Sequence, residues 1–199
     1  AARLFAAARQ VDRLATTMRA AGLGELRIAA MPSLGIGFVP RLLARFAAQA
    51  EGLRVSMTVA SSIEVHDLVQ SGQVDLGIAH PVANGAGLVI GPPLLQRAVL
   101  ALPRRHPLAR RRAVALQALH GEPQVSLGRQ YGLRDMVDDL FERHGVVPVP
   151  VAETQSAAAA CEMVAGGLGF TIVDPVSAQG YERRLALVVL TPTVEFPVH

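Results

Sequence analysis

Four short runs carry hydroxyl and amide side chains where a strand is predicted to stop and a helix to start: Pro32-Ser33, Ser61-Ser62, Ser126 with Arg129, and Thr154-Gln155-Ser156. Hydroxyls at such junctions do one of two jobs. They cap the helix by accepting from an N–H of its first turn, or they donate to a bound carboxylate, which a helix start attracts through its free N–H groups and dipole. Both roles are open for each of these residues. Arg129 is the obvious cation of the set, suited to a bidentate fork on a carboxylate or to a surface ion pair with Asp135 or Glu153. The chemistry on offer is binding, with no group placed to break a bond.

Catalytic readings of the other reactive residues are weaker. Cys161 lies in AAAACEMV on a predicted helix interior, where a small buried thiol is the ordinary state and activation would need a basic neighbour. The histidines at 66, 80, 106, 120, 144 and 199 show no HxH or HxxxH spacing, and no CxxC accompanies them, so no metal site is expected. GGLG at 166–169 follows a helix instead of preceding one and reads as helix termination, not as a phosphate loop. Asp174, beside Pro175, is the one candidate base on the rim. No catalytic residue and no cofactor is implied.

Charge and composition bound the class. The chain has 199 residues, 51% of them hydrophobic, yet no apolar run reaches the roughly 18 residues of a membrane helix. One cysteine cannot form an internal disulfide, and three arginines by position 13 do not make a signal peptide, so a cytoplasmic location is expected. Every basic residue is arginine, and the net charge is +3. The arginines are scattered except in RRHPLARRR at 104–112, which reads as a solvated surface connection.

The elements that position the four junctions follow from periodicity. Residues 2–21 place Leu4, Phe5, Ala8, Val11, Leu14, Ala15 and Met18 at helical spacing, a connector helix stopped by Gly22 and Gly24. Then come a strand at 26–30, a loop at 32–37, a helix at 38–50, a strand at 55–59, a helix reaching Gln70 and a strand at 75–79. Two strand-helix units in succession imply a parallel sheet. A Gly/Pro-rich link to Gln96 leads to a strand at 98–102, a short helix at 116–119, a strand at 124–127, a helix at 133–144, a strand at 149–153, an Ala-rich helix to about Ala165 and a strand at 170–173. A final strand at 185–190 is placed to return to the first sheet. The expected fold is α/β, two Rossmann-like lobes joined by crossing strands: 1–22 the end of a linker helix, 23–97 the first part of lobe I, 98–180 lobe II, and 181–199 a truncated return to lobe I.

Several of these segments resemble one family. GELRIAAMPSLGIGFVPRLLARFAAQAEGLRVSM followed by SSIEVHDLVQSGQVDLGIAHP is similar to the first lobe of LysR-type regulator sensing domains. RRHPLA at 104–109 matches their "HPLA" segment, and MVAGGLGFTIVDP at 163–175 their glycine-rich signature. SLGRQYGLRDMVDDLFERHGV and VAETQSAAAACEMVAGGLGF are similar to the branch that includes LysR itself and the octopine and nopaline regulators, which sense amino-acid derivatives. The resemblance implies a type 2 periplasmic-binding-protein-like fold and effector contacts at Ser33, the backbone of Leu34 and Gly35, Ser61, Ser62, Ala101, Ser126, Thr154, Gln155 and Val173. It also implies a homodimer in which the helix over 39–49 packs on the partner's second lobe, a tetramer for the full-length parent, and DNA contact through an N-terminal winged helix-turn-helix absent from these residues. A solute-binding protein of a transporter would share the two-lobed fold, but should carry an export signal and lack the helix at 2–21.

Overall fold

The computed structural model describes residues 24–47, 52–81, 87–129 and 132–198. The expected connector helix at 2–21 lies outside the described residues. The chain divides into two compact units, one of residues 1–95 with 197–199 and one of residues 96–196.

In the first unit, β1 (Glu25–Ala30), β2 (Arg54–Val59) and β3 (Leu76–Ile78) form a parallel sheet in the order β2-β1-β3. Leu26, Ile28, Ala29 and Ala30 of β1 are fully buried, as suits a central parallel strand, with Arg27 as the one polar residue among them. After β1 the expected loop is instead one helical turn, α1 (Pro32–Gly35), followed by α2 (Phe38–Ala47). Pro32 explains the difference, because its fixed φ suits the first helical position and its missing N–H would be unpaired there anyway. The crossover from β2 to β3 is α3 (Ser62–Gln70), whose Val65 joins Ala29, Val74 and Ala79 in a core flanked by Leu68 and Val69. Gly77 of β3 makes that packing possible: a Cβ there would lie 2.7 Å from Val69 Cγ2 and 2.8 Å from Val65 Cγ1. The aspartate of the same VDLG run is fixed across the sheet, since Arg27 donates to Asp75 through its backbone N–H at 2.8 Å and its guanidinium at 2.9 Å.

The link after Pro81 ends in a strand that sequence patterning misses, β4 (Leu94–Arg97), paired with β11 (Glu195–Val198). Pro92-Pro93 and the polar pair Gln96-Arg97 hide it, and its partner is almost 100 residues away in the chain. The second unit is built on β5 (Val99–Pro103), where Leu100, Ala101 and Leu102 are fully buried. Its sheet runs β6 (Ala113–Ala115), β10 (Leu185–Thr191), β5, β9 (Thr171–Val173). Beside it β7 (Pro123–Leu127) and β8 (Val149–Thr154) pair in parallel, and Val125 N–H to Phe170 O at 2.8 Å together with Phe170 N–H to Pro123 O at 2.9 Å stitch the two sheets together. The helices α4 (Gly132–Arg143) and α5 (Ala157–Ala165) complete the unit.

The strand expected to return to the first sheet does not do so. β10 lies antiparallel to β5 and parallel to β6, and buries Leu185, Val188 and Leu190 in the second unit. A run of apolar residues identifies a strand without naming its neighbour, and the return to the first unit comes at Pro197.

The stitch between the sheets depends on a glycine. Gly169 has φ +111°, and a Cβ on it would collide with Pro123 O and sit 2.9 Å from Pro123 Cβ. Gly180, at φ +94°, has open space around the same position. Gly169→Ala should therefore cost about 3 kcal/mol or more, summing backbone strain and overpacking of roughly 1–3 kcal/mol each, whereas Gly180→Ala carries the strain alone. Thermal unfolding of both variants checks this, and equal losses would contradict it.

Candidate functional site

The junctions are built separately in each unit. In the first, Met31 N–H donates to Ile78 O at 2.8 Å and Ala60 N–H to Ala30 O at 3.2 Å, which draws the ends of the three strands together. Leu34 is 2% exposed, and a Cβ on Gly35 would meet Val59 Cγ2 at 3.0 Å and Ala30 O at 3.2 Å, so α1 sits down on β1 and β2. Both residues face the protein, leaving the half-buried Ser33 as the α1 side chain of interest.

Ser61 and Ser62 have definite partners. Ser61 caps α3: its Oγ accepts from Glu64 N–H at 3.3 Å, while the Glu64 carboxylate accepts from Ser61 N–H at 2.8 Å. This capping box satisfies two donors of the helix start reciprocally, and it puts an acidic group on the helix N-terminus. Hydrogen bonding from Ser61 holds the Glu64 carboxyl below the usual carboxylate range. Ser62 Oγ accepts from His80 N–H at 3.2 Å and donates to Met31 Sδ at 3.9 Å. His80 is tied further, its Nδ1 3.0 Å from Pro197 O and its carbonyl 3.2 Å from His66 Nε2. Sequence reasoning did not bring these histidines together, because their spacing of 14 matches no motif and their contact is through backbone.

In the second unit the ends of β7 and β8 lie side by side, with Leu127 opposite Thr154. Ser126 Oγ donates to Ala152 O at 3.3 Å, and Thr154 Oγ1 accepts from Ser156 N–H at 3.3 Å. The cap of α5 is Ser156, whose Oγ accepts from Ala159 N–H at 3.3 Å. Arg129 and Gln155 are exposed on the two adjoining turns. Ala101 and Val173 are fully buried in the neighbouring β5-β9 pair, so their side chains belong to the core. The ion pair with Glu153 left open for Arg129 is made by Arg134, 2.9 Å from that carboxylate, which also holds Asp138 at 2.7 Å and donates to Leu127 O at 2.6 Å. Arg134 is mostly buried at the base of β7, a position its helical sequence does not announce.

The two groups weighed for catalysis have structural positions. Cys161 is fully buried, and burial pushes its thiol up to about 12, far from a thiolate at neutral pH. Asp174 is buried and caps the following turn, accepting from Val176 N–H at 3.0 Å and Ser177 N–H at 2.8 Å. Among the described residues no group of three or more His, Cys, Asp and Glu could hold a metal ion, and no helix is long and apolar enough to cross a membrane.

Two α/β units, each with polar groups gathered where strands end and helices begin, are the architecture of a two-lobed small-molecule-binding domain. The family model of the LysR substrate binding domain matches residues 20–199, and the chain belongs to that family. It is 31% identical over 199 residues to the Transcriptional activator protein LysR of Escherichia coli (strain K12), covering 95% of this chain and 64% of the relative. It is also 31% identical to the Octopine catabolism/uptake operon regulatory protein OccR of Rhizobium meliloti over 189 residues, 93% of this chain and 61% of the relative. The chain thus spans less than two thirds of the length of these relatives. Among solved structures, the regulatory domain of Synechocystis PCC6803 CcmR in complex with 2-PG superposes with a TM-score of 0.74 at 27% identity, over 88% of this chain and 86% of that one.

The capping box gives a first test of the junctions. Ser61→Ala should cost about 1 kcal/mol, the typical value of a lost N-cap. Because the folded Glu64 carboxyl titrates below its unfolded value, its contribution is present above that value and lost as pH falls through the folded one. Glu64→Gln keeps an acceptor but removes the titration, so urea unfolding between pH 3 and 6, run on both chains, should show a flatter acid limb for the variant.

Proposed function

We propose that this chain is the effector-sensing domain of a LysR-type transcription regulator, and that its effector is an amino acid or amino-acid derivative. The observation that carries the sensing role is the family match over residues 20–199. The effector class is supported by the likeness to a regulator named for octopine catabolism and by the charges the junctions carry. Arg129 places a guanidinium at a junction of the second unit, where it can pair with a ligand carboxylate, and Glu64 places a carboxylate at a junction of the first. Thr154 uses an oxygen lone pair to accept from Ser156 N–H, which leaves its hydroxyl proton to donate to a ligand carboxylate. Ser33, Ser62, Ser126 and Gln155, with the backbone around Leu34, Gly35, Ala101 and Val173, complete the proposed contact set.

Sensing needs no chemistry on the ligand. A molecule that binds one conformation better than another shifts the population by its differential affinity, and the DNA-binding segment of the parent would read that shift. The parent works as an oligomer in this reading, with this portion as a homodimer. Ile36, Val59 and Ile63 in the first unit and Met136, Val149 and Val151 in the second are exposed aliphatic side chains that such pairing would cover. Sedimentation at micromolar concentration should show a dimer, and monomer alone would count against the pairing.

A thermal-shift screen against amino acids, opines, diaminopimelate and simple carboxylates tests the effector class. A ligand at one hundred times its Kd adds about 2.7 kcal/mol, which is roughly 5–10 °C in Tm for a chain of this size. Gln155→Ala or Ser33→Ala should shrink that shift. Response only to acids lacking an amino group would remove the amino-acid class and leave the family assignment intact.

A further inference from the structure

The positive charge of this chain is concentrated in one surface turn. Nineteen arginines against sixteen acidic residues give the net +3, but five of those arginines, with no acid between them, fall at 104–112. Outside that segment, fourteen arginines face sixteen acids, so the remaining 190 residues are net negative. All five, Arg104, Arg105, Arg110, Arg111 and Arg112, are exposed, and Arg183 beside Glu182 is exposed as well.

The turn is held rigid. It leaves β5 at Pro103 and enters β6 at Ala113, so both flanks are anchored in the sheet of the second unit. Between them Pro107–Arg110 form a 3-10 turn that His106 fixes from inside: Leu108 N–H donates to His106 Nδ1 at 3.2 Å, and His106 Nε2 lies 3.4 Å from the Glu122 carboxylate. His106 N–H donates to Pro103 O at 2.9 Å and Arg111 N–H to Leu108 O at 3.1 Å. Arg104 is committed to the carbonyl of Glu182. The ion pairs of Arg27, Arg54, Arg97, Arg134, Arg143 and Arg184 lie elsewhere in the described residues.

We propose that this arginine turn is a phosphate-binding surface for the backbone of duplex DNA. Guanidinium forks match phosphate oxygens bidentately, and a duplex offers one negative charge per about 1.7 Å of its axis. None of the large exposed hydrophobic residues among the described residues falls between 103 and 113, and Val189, which pairs with Ala113 at the edge of the turn, is a single apolar side chain and not the cluster of anchors that stable protein interfaces are built around. Contact of this kind reads charge and not sequence. It would add to, and not replace, operator recognition by the parent's DNA-binding segment. The choice of DNA as partner rests on the regulator reading, but a failed effector screen would not alter the salt dependence measured below, so the two failures are distinguishable.

The test is fluorescence anisotropy of the 199-residue chain with a 30-base-pair duplex of arbitrary sequence at several salt concentrations. With Arg105, Arg110, Arg111 and Arg112 on phosphates, log K should fall against log salt with a slope of about −3.6, roughly a fifty-fold loss between 50 and 150 mM. Arg110→Gln/Arg111→Gln/Arg112→Gln should bring the slope to about −0.9. Arg54→Gln/Arg97→Gln/Arg143→Gln changes the net charge equally and should leave it unchanged. Equal effects of the two triple variants, or no binding at 50 mM salt, would overturn the proposal. Competition by polyglutamate as effective as by duplex DNA of equal charge would overturn it too, assigning the turn to an acidic protein segment. Far-ultraviolet circular dichroism of each variant confirms that the fold survives.

Discussion

The hydrogen bonds that close each strand-to-helix junction fix where this molecule can present polar groups. A helix start leaves backbone donors without intrahelical acceptors, and a buried donor without a partner costs about 1–3 kcal/mol. Here those donors are answered from within the chain, by Ser61 and Glu64 at α3, by Ser156 at α5 and by Asp174 at the turn after β9. Each cap holds its junction in one conformation, and whatever hydroxyl protons and exposed side chains remain are aimed by that conformation. The close approaches at Gly35, Gly77 and Gly169 set the spacing around these junctions, since they let α1, α3 and the turn before Phe170 sit close to their neighbouring elements.

Capping has a consequence for what the junctions can bind. A helix start that had kept its donors free would draw an anion by itself. At α3 that role is already taken by Glu64, whose lowered carboxyl titration reflects the same hydrogen bonds a ligand carboxylate would seek. A purely anionic ligand therefore meets a like charge at the first unit and gains less there than the bare geometry suggests. In the proposed reading, an ammonium group on the ligand would offset that like charge.

Much of this was legible in the residues. SxxE at 61–64 ahead of an apolar helical stripe encodes its own cap, and LRIAA at 26–30 encodes a buried parallel strand, because both signals are local. What stayed hidden depends on distant partners. β4 is four residues long and paired with a strand almost 100 residues away, β10 reads as a strand from its apolar run but could not declare its neighbours, and Pro32 starts a helical turn where a loop was the simpler reading. Arg129 and Arg134 look equivalent in sequence, yet only the second lies over the end of β7 within reach of Glu153. Of the candidate site, the junctions were readable and the division of labour within them was not. Whether a serine caps or contacts a ligand turns on ångström distances to backbone N–H groups that composition does not carry.

The same division of labour accounts for the two groups weighed for catalysis. A thiol nucleophile needs a polar, cation-rich setting, and Cys161 has the opposite, a fully buried place on α5 with Asp174 and Glu162 as its nearest charges, each of which resists ionisation of the sulfur. Asp174, in turn, spends its carboxylate on Val176 and Ser177. The two groups weighed for chemistry are thus ones that hold the fold together, and the described side chains left at the surface of the junctions are hydroxyls, an amide and single charges.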